Sequence, residues 1–149
     1  MIRVQAEDFD VGAELARFSE GNHGIGGIGV FLGLVRDMAG GEKIGAMTLE
    51  HYPGMTERKL EEIEAEARRR WPLEACLIIH RYGRLEPGDR VVMVATASAH
   101  RDAALESCRF LIDWLKTEAP FWKLEETPGG GKWVDARDSD AKAKERWVK

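Results

Sequence analysis

The residues of this chain best suited to proton chemistry are two lysines on either side of a helix stop. Lys116 ends a helical pattern, Pro120 stops it, and Phe121-Trp122 lead to Lys123, with the carboxylate of Glu125 two residues on. Gly129-Gly130-Gly131 and Lys132-Trp133-Val134 close the stretch. Lysines that arrive from different elements and converge in a poorly hydrated pocket lower one another's pKa. A lysine tuned in this way gives or takes a proton near neutral pH. The same spacing also fits two solvated lysines, one of them favoured at a helix C-terminus by the dipole.

Other cations stand at the ends of apolar runs. His100-Arg101 follows one such run and opens a helical pattern. Free N–H groups at a helix start attract anions, and the two side chains add charge-assisted donors. His80-Arg81 meets a turn and reads as a strand-end histidine beside a solvated arginine. Arg36 closes Val30-Phe31-Leu32-Gly33-Leu34-Val35 and matters only if it points at the same site. His23, His51, His80 and His100 show no HxH or HxxxH spacing, so no metal site is expected. Gly24-Ile25-Gly26-Gly27-Ile28-Gly29 matches G-x-G-x-x-G, but a helical pattern precedes it and a strand pattern follows. The dinucleotide fingerprint needs the reverse order. These glycines instead suit a tight strand entry or a close backbone approach. Cys76 lies in an apolar strand pattern and Cys108 on a helix stripe with Leu111 and Leu115. Both read as inert core thiols, so any sulfur handled here comes from elsewhere.

The elements that must position these groups fit one domain, residues 1–140, followed by a charged tail, 141–149, expected to fray, with Trp147 able to dock. The chain has 149 residues, 44% of them hydrophobic, and a formal net charge of -4. That balance argues against sequence-independent nucleic-acid binding, which needs a basic surface. Two distant cysteines without a CxxC argue against a disulfide scaffold or a structural zinc site. The acidic N-terminus is no signal peptide, and no apolar run reaches spanning length. The expectation is a soluble cytoplasmic protein.

Strand patterns cover Ile2–Gln5, Ile28–Val35, Ile44–Tyr52, Ala75–Arg81, Arg90–Ser98, Phe121–Glu126 and Lys132–Ala136. The loop Asp37–Gly41 allows the second and third to pair. Gly83–Asp89 reads as a turn, and Arg90–Ser98 as a strand covered on both faces. Helical stripes are Val11, Leu15 and Phe18 after an Asp10 cap; Leu60, Ile63 and Ala67 within Thr56–Arg70; and Ala104, Cys108, Leu111 and Leu115 within 101–116. Paired strands between helices predict an α+β fold with a largely antiparallel sheet and packed helices.

An ordered set of motifs carries a resemblance. It comprises Phe31-Leu32-Gly33-Leu34-Val35-Arg36, Leu49-Glu50-His51-Tyr52-Pro53-Gly54-Met55 and His80-Arg81-Tyr82-Gly83. It continues with Ser98-Ala99-His100-Arg101, Asp113-Trp114-Leu115-Lys116, Pro120-Phe121-Trp122-Lys123-Leu124-Glu125 and Trp133-Val134. Over nearly the whole domain the chain resembles the catalytic, large subunit of molybdopterin synthase. The resemblance implies an α/β hammerhead-type fold and a homodimer within a heterotetramer. It implies a small ubiquitin-like sulfur-carrier subunit whose C-terminal Gly-Gly thiocarboxylate enters the catalytic pocket. Two sulfur transfers then convert cyclic pyranopterin monophosphate, a small-molecule pterin, into the dithiolene of molybdopterin, and no cofactor is implied. Lys116 and Lys123 match the essential lysines. Leu34, Val35, Arg36, His100, Arg101, Leu124, Glu125 and Arg137 match, with those lysines, the substrate-binding positions. Leu124 departs from the pattern, which has a basic residue between Lys123 and Glu125.

The physical logic fits that resemblance. Two anions must meet, so the site needs local cations on an otherwise acidic chain. Two other readings stay open on the residues alone. One is a non-enzymatic dimeric scaffold that captures a partner's Gly-Gly tail in a basic groove. The other is an anion or nucleic-acid binder, which the charge balance disfavours.

Overall fold

The computed structural model describes residues 1–39, 42–43, 45–127, 130–134, 142–143 and 145–147. Its first sheet has the strand order β1-β6-β8-β2, from β1 (Ile2–Gln5), β2 (Gly27–Leu34), β6 (Leu73–Arg81) and β8 (Arg90–Ser98). Only β1 and β6 run parallel in it; β6–β8 and β8–β2 are antiparallel. β8 is apolar almost throughout, so it needs cover on both faces and takes a central place. The predicted two-sided cover is found: Val92 and Val94 enter one core cluster, Met93 and Ala95 another.

The second sheet has the order β10-β9-β5-β7 and is antiparallel throughout. It contains β5 (Ala46–His51), β7 (Gly83–Leu85), β9 (Phe121–Thr127) and β10 (Gly130–Val134). This arrangement corrects two expectations. β2 and β5 do not pair, because the apolar β8 takes β2 and the strand after Pro120 takes β5. The loop between them carries its own short ladder, β3 (Met38–Ala39) with β4 (Glu42–Lys43). Part of the expected turn at Gly83–Asp89 is the strand β7, which pairs Leu85 with Met47 and buries it against Val35, Met47 and Leu49. The expected Ile44 strand start lies outside the described residues.

Among the described residues, three helices cover the first sheet. α1 (Val11–Ser19) begins where Asp10 Oδ1 accepts from the Ala13 N–H at 2.9 Å, as the predicted cap requires. Its stripe packs on Leu77, Ile79, Met93 and Ala95. α2 (Met55–Arg70) and α3 (Arg101–Glu118) lie on the opposite face. There Leu60, Ile63 and Ala67 meet Cys108, Leu111 and Leu115 over Cys76, Ile78, Val92 and Val94. Gly29 permits this seating of α3, since a Cβ there would stand 2.5 Å from the Ala104 carbonyl oxygen. The glycine-rich stretch is thus used for close backbone approach. Trp147 docks on Trp71 and Phe110 and donates from Nε1 to Asp113 Oδ2 at 2.7 Å. Among the described residues no helix is long and apolar enough to cross a membrane.

Candidate active site

The two lysines reach one end of the molecule from different elements. Lys116 is exposed in the last turn of α3, and Lys123 is half-buried on β9. Between them the chain turns at Pro120, and this turn is tied down. Thr56, fully buried at the start of α2, donates from Oγ1 to the Pro120 carbonyl at 3.2 Å and accepts from the Tyr52 N–H at 3.1 Å. In the β5–β9 ladder Lys123 stands opposite Leu49, Glu125 opposite Met47, and Phe121 opposite His51. Directly paired residues share a sheet face, and Leu49 and Met47 are buried. Phe121, Lys123 and Glu125 therefore form a row on the inner face of this sheet. Glu125 is only 8% exposed, and among the described residues its carboxylate makes no hydrogen bond or ion pair.

His80 completes this end. It lies at the end of β6, 5% exposed, with its imidazole stacked on Phe121 at a centroid distance of 3.8 Å. His51 packs at a tilt against Tyr82, ring centroids 4.3 Å apart. Burial chiefly, with the positive charges of Lys123 and Lys116 and the ring of His51, brings the His80 pKa down to about 4; only its hydrogen bond to the Arg81 carbonyl opposes this. The two lysine charges therefore act on one buried, neutral ring.

Sequence reasoning placed His80 and Arg81 as a strand-end histidine and a solvated arginine; the first stands at its strand end as expected, and the second is corrected. His80 is interior. Arg81 donates to the carbonyls of Ala6, at 3.1 Å, and Arg90, at 2.9 Å, and pairs with Asp8 at 3.8 Å, so it ties strand ends together. His51 was likewise silent in the sequence. The signal that finds these two residues is their ring contact with Phe121 and Tyr82, which no local pattern contains.

Arg36 belongs to the lysine end. Val35 exchanges backbone hydrogen bonds with Asp89 and Gly88 at 2.9 and 2.8 Å, and its side chain packs with Leu49 and Leu85. Arg36 follows it, exposed. Leu34 is 53% exposed on the β2 edge, and Leu124 is half-buried beside Lys123. Arg137 lies outside the described residues. His100 and Arg101 are exposed at the opposite end, where β8 finishes and α3 begins. From Arg101 to Lys116 the helix rises about 22 Å at 1.5 Å per residue. Within one chain these two cations and the lysines do not meet.

Two further features bear on the chemistry. A cavity of about 330 Å³ opens between β2 and α3, with Val30, Phe31, Leu105, Cys108 and Ile112 among its lining; none of the expected site residues lines it. Beside it β2 is an edge strand whose Ile28, Val30, Leu32 and Leu34 are all exposed. Both cysteine thiols are buried, and burial raises them to about 12 for Cys76 and about 11 for Cys108. Neither is a nucleophile at neutral pH.

Comparison with known proteins adds an independent line. Residues 4–118 match the MoaE protein family. The chain is 54% identical over 146 residues to the molybdopterin synthase catalytic subunit of Pseudomonas aeruginosa, covering 98% of this chain and 97% of that one. It superposes on the molybdopterin biosynthesis MoaE protein of Burkholderia ambifaria with a TM-score of 0.85 and 54% identity, covering 99% of this chain and 97% of that one. It superposes on a molybdopterin synthase structure from Staphylococcus aureus with a TM-score of 0.82 and 32% identity, covering 89% and 96%.

Proposed function

The chain belongs to the MoaE protein family, and we propose that it works as the catalytic subunit of a molybdopterin synthase in molybdenum cofactor biosynthesis. What supports this reading is that Lys116 and Lys123 flank the Pro120 turn, at the end of α3 and on β9, with the charges of both bearing on the buried His80. The donor is the C-terminal thiocarboxylate of a small ubiquitin-like subunit, threaded to the lysines as an extended Gly-Gly tail. The acceptor is cyclic pyranopterin monophosphate. Sulfur passes from the donor's carbonyl carbon to the pterin side chain, where new C–S bonds replace C–O bonds as the cyclic phosphate opens and water is lost; a water cleaves the acyl–sulfur bond and leaves the donor as a carboxylate. Two such transfers form the dithiolene.

The residues divide this work by chemistry. Lysine, unlike arginine, gives up a proton within reach of neutral pH, so one of the pair assists proton transfer on the pterin while the other faces the donor carbonyl. Arg36 remains charged and offsets the repulsion between two anionic reactants. Glu125 lies beyond Lys123 in the same row, where its carboxylate can orient the ammonium. The sulfur arrives with the partner, in keeping with the inert thiols of Cys76 and Cys108.

His100 and Arg101 enter the site from a second copy. Among the described residues β2 offers an unpaired backbone edge and an apolar face, both self-complementary about a two-fold axis. Antiparallel pairing of two β2 edges sets the α3 start of one protomer beside the Arg36 end of the other. The catalytic chains then form a homodimer, with one small subunit on each, as a heterotetramer working in the cytoplasm. The experiment that tests this function supplies preformed thiocarboxylated partner and the cyclic pterin and follows dithiolene formation. A mere scaffold binds the tail and leaves the pterin unchanged.

A further inference from the structure

Cys76, Ile78 and His80 alternate along β6 on the face that carries the principal core, where Cys76 and Ile78 pack with Val92 and Val94. The pattern asks for another apolar residue at position 80, yet a histidine stands there, 5% exposed. A buried polar side chain at the end of an apolar row breaks the local rule, and such breaks mark function. Its Nδ1 lies 2.9 Å from the Arg81 carbonyl oxygen. A carbonyl only accepts, so Nδ1 carries the proton and Nε2 is left with a bare lone pair. Among the described residues Nε2 makes no hydrogen bond. The ring cannot swing freely, because it stacks on Phe121 with the planes 16° apart. Phe121 stands two residues before Lys123 on the same face of β9.

The titratable groups that act on the ring come from three packed elements: Lys123 on β9, Lys116 on α3 and His51 on β5. Burial keeps the imidazole uncharged at neutral pH, so it does not itself ferry a proton. A carboxylate in its place would hold a lysine firmly in the charged form. A neutral acceptor orients an ammonium and leaves its proton removable.

We propose that His80 is a positioning residue for the lysine pair, its bare Nε2 accepting a hydrogen bond from a lysine ammonium and fixing the direction of that group during sulfur transfer. This rests on the reading of the site as a sulfur-transfer centre. It assigns to Phe121 the task of holding the imidazole, and to the Arg81 carbonyl the task of choosing its tautomer.

Two variants separate this role from simple packing. His80→Phe keeps an aromatic ring on Phe121 and deletes the acceptor. His80→Gln returns a polar acceptor within reach of the Nε2 position. The measurements are single-turnover sulfur transfer from preformed thiocarboxylated partner across pH, and the titration of the lysine side chains by carbon NMR in the complex with the unthiolated partner, without pterin. His80→Phe is expected to slow transfer by about 10- to 100-fold, the scale of a misplaced catalytic group. Partner affinity should not change. The limb of the pH–rate profile that belongs to a lysine, and that lysine's NMR titration, should both move to lower pH, because an acceptor that favours the ammonium has been removed. His80→Gln should recover most of the rate and restore the titration. A lysine titration unmoved by His80→Phe overturns the proposal, whether the rate is preserved or falls equally in both variants. If the parent protein converts no pterin, the sulfur-transfer reading fails, and the NMR titration still decides whether His80 holds a lysine.

Discussion

Thr56 fastens Pro120. Its hydroxyl donates to the Pro120 carbonyl and accepts from the Tyr52 N–H, which joins the start of α2 to the turn that separates Lys116 from Lys123. The hydroxyl is fully buried, so both partners lose their bond if it is removed. Thr56→Val, equal in shape, should cost about 1–3 kcal/mol by leaving buried polar groups unsatisfied. It should also slow sulfur transfer more than it weakens partner binding, because the turn sets the lysine geometry. Denaturant midpoints and transfer rates measured together check this; a stable variant with parental rates would show that the turn is held by other contacts.

His80 gives the fold a pH dependence of defined sign. Burial, with help from Lys123, Lys116 and His51, holds it at about 4 against an ordinary 6.5, despite the hydrogen bond to Arg81. Between those values the unfolded chain binds a proton that the folded chain refuses, so stability rises with pH across that window and levels off above it. The window corresponds to about 3 kcal/mol at most, as an order of magnitude. Glu66, held at about 2 chiefly by hydrogen bonds from Arg69 and Arg70, acts only below its ordinary 4.5. Urea midpoints at several pH values should therefore fall from pH 6.5 towards 4 in the parent and much less in His80→Phe. An identical slope in both proteins would place the titrating group elsewhere.

Much of this site could be read from the order of residues, and its gaps have physical causes. The lysine pair was legible because Pro120 is a local stop signal between two periodic patterns. His80 was not, since its meaning depends on Phe121, some forty residues later and on another sheet. The strand Gly83–Leu85 was hidden because its residues favour turns and its stability comes from pairing with Met47, Thr48 and Leu49. The distance between Arg101 and Lys116 was legible in principle: the helical stripe already spanned 101–116, and its rise alone keeps the two ends apart.

That separation predicts complementation between protomers. Arg101→Ala and Lys123→Ala should each be nearly inactive alone. Reassembled together, their mixed dimers contain one site with Lys123 from one chain and Arg101 from the other. With random pairing about a quarter of all sites in a two-fold dimer are then intact. Recovered activity near that fraction is expected; a mixture as inactive as its components would place the whole site within one chain.

The proposed threading asks the partner's tail to reach the lysines as an extended backbone, which residues without side chains do best. Adding one residue after its terminal glycine moves the reacting carbon past the lysines. Turnover should then be lost while binding is largely kept, measured by transfer assay and titration calorimetry. Unchanged turnover would refute threading.

The most direct test of the account is single-turnover conversion of the cyclic pterin by Lys116→Ala, Lys123→Ala and the two Lys→Arg variants, with preformed thiocarboxylated partner in excess. Each alanine variant should lose about a hundredfold or more in rate, in the range of acid–base and electrostatic groups. Each should keep its melting temperature and partner affinity, since Lys116 is exposed and Lys123 half-buried. Arginine should not rescue, because guanidinium stays protonated and is wider. Near-parental conversion by either alanine variant, or full rescue by arginine, would contradict the proton-transfer role and reduce the pair to a positive surface.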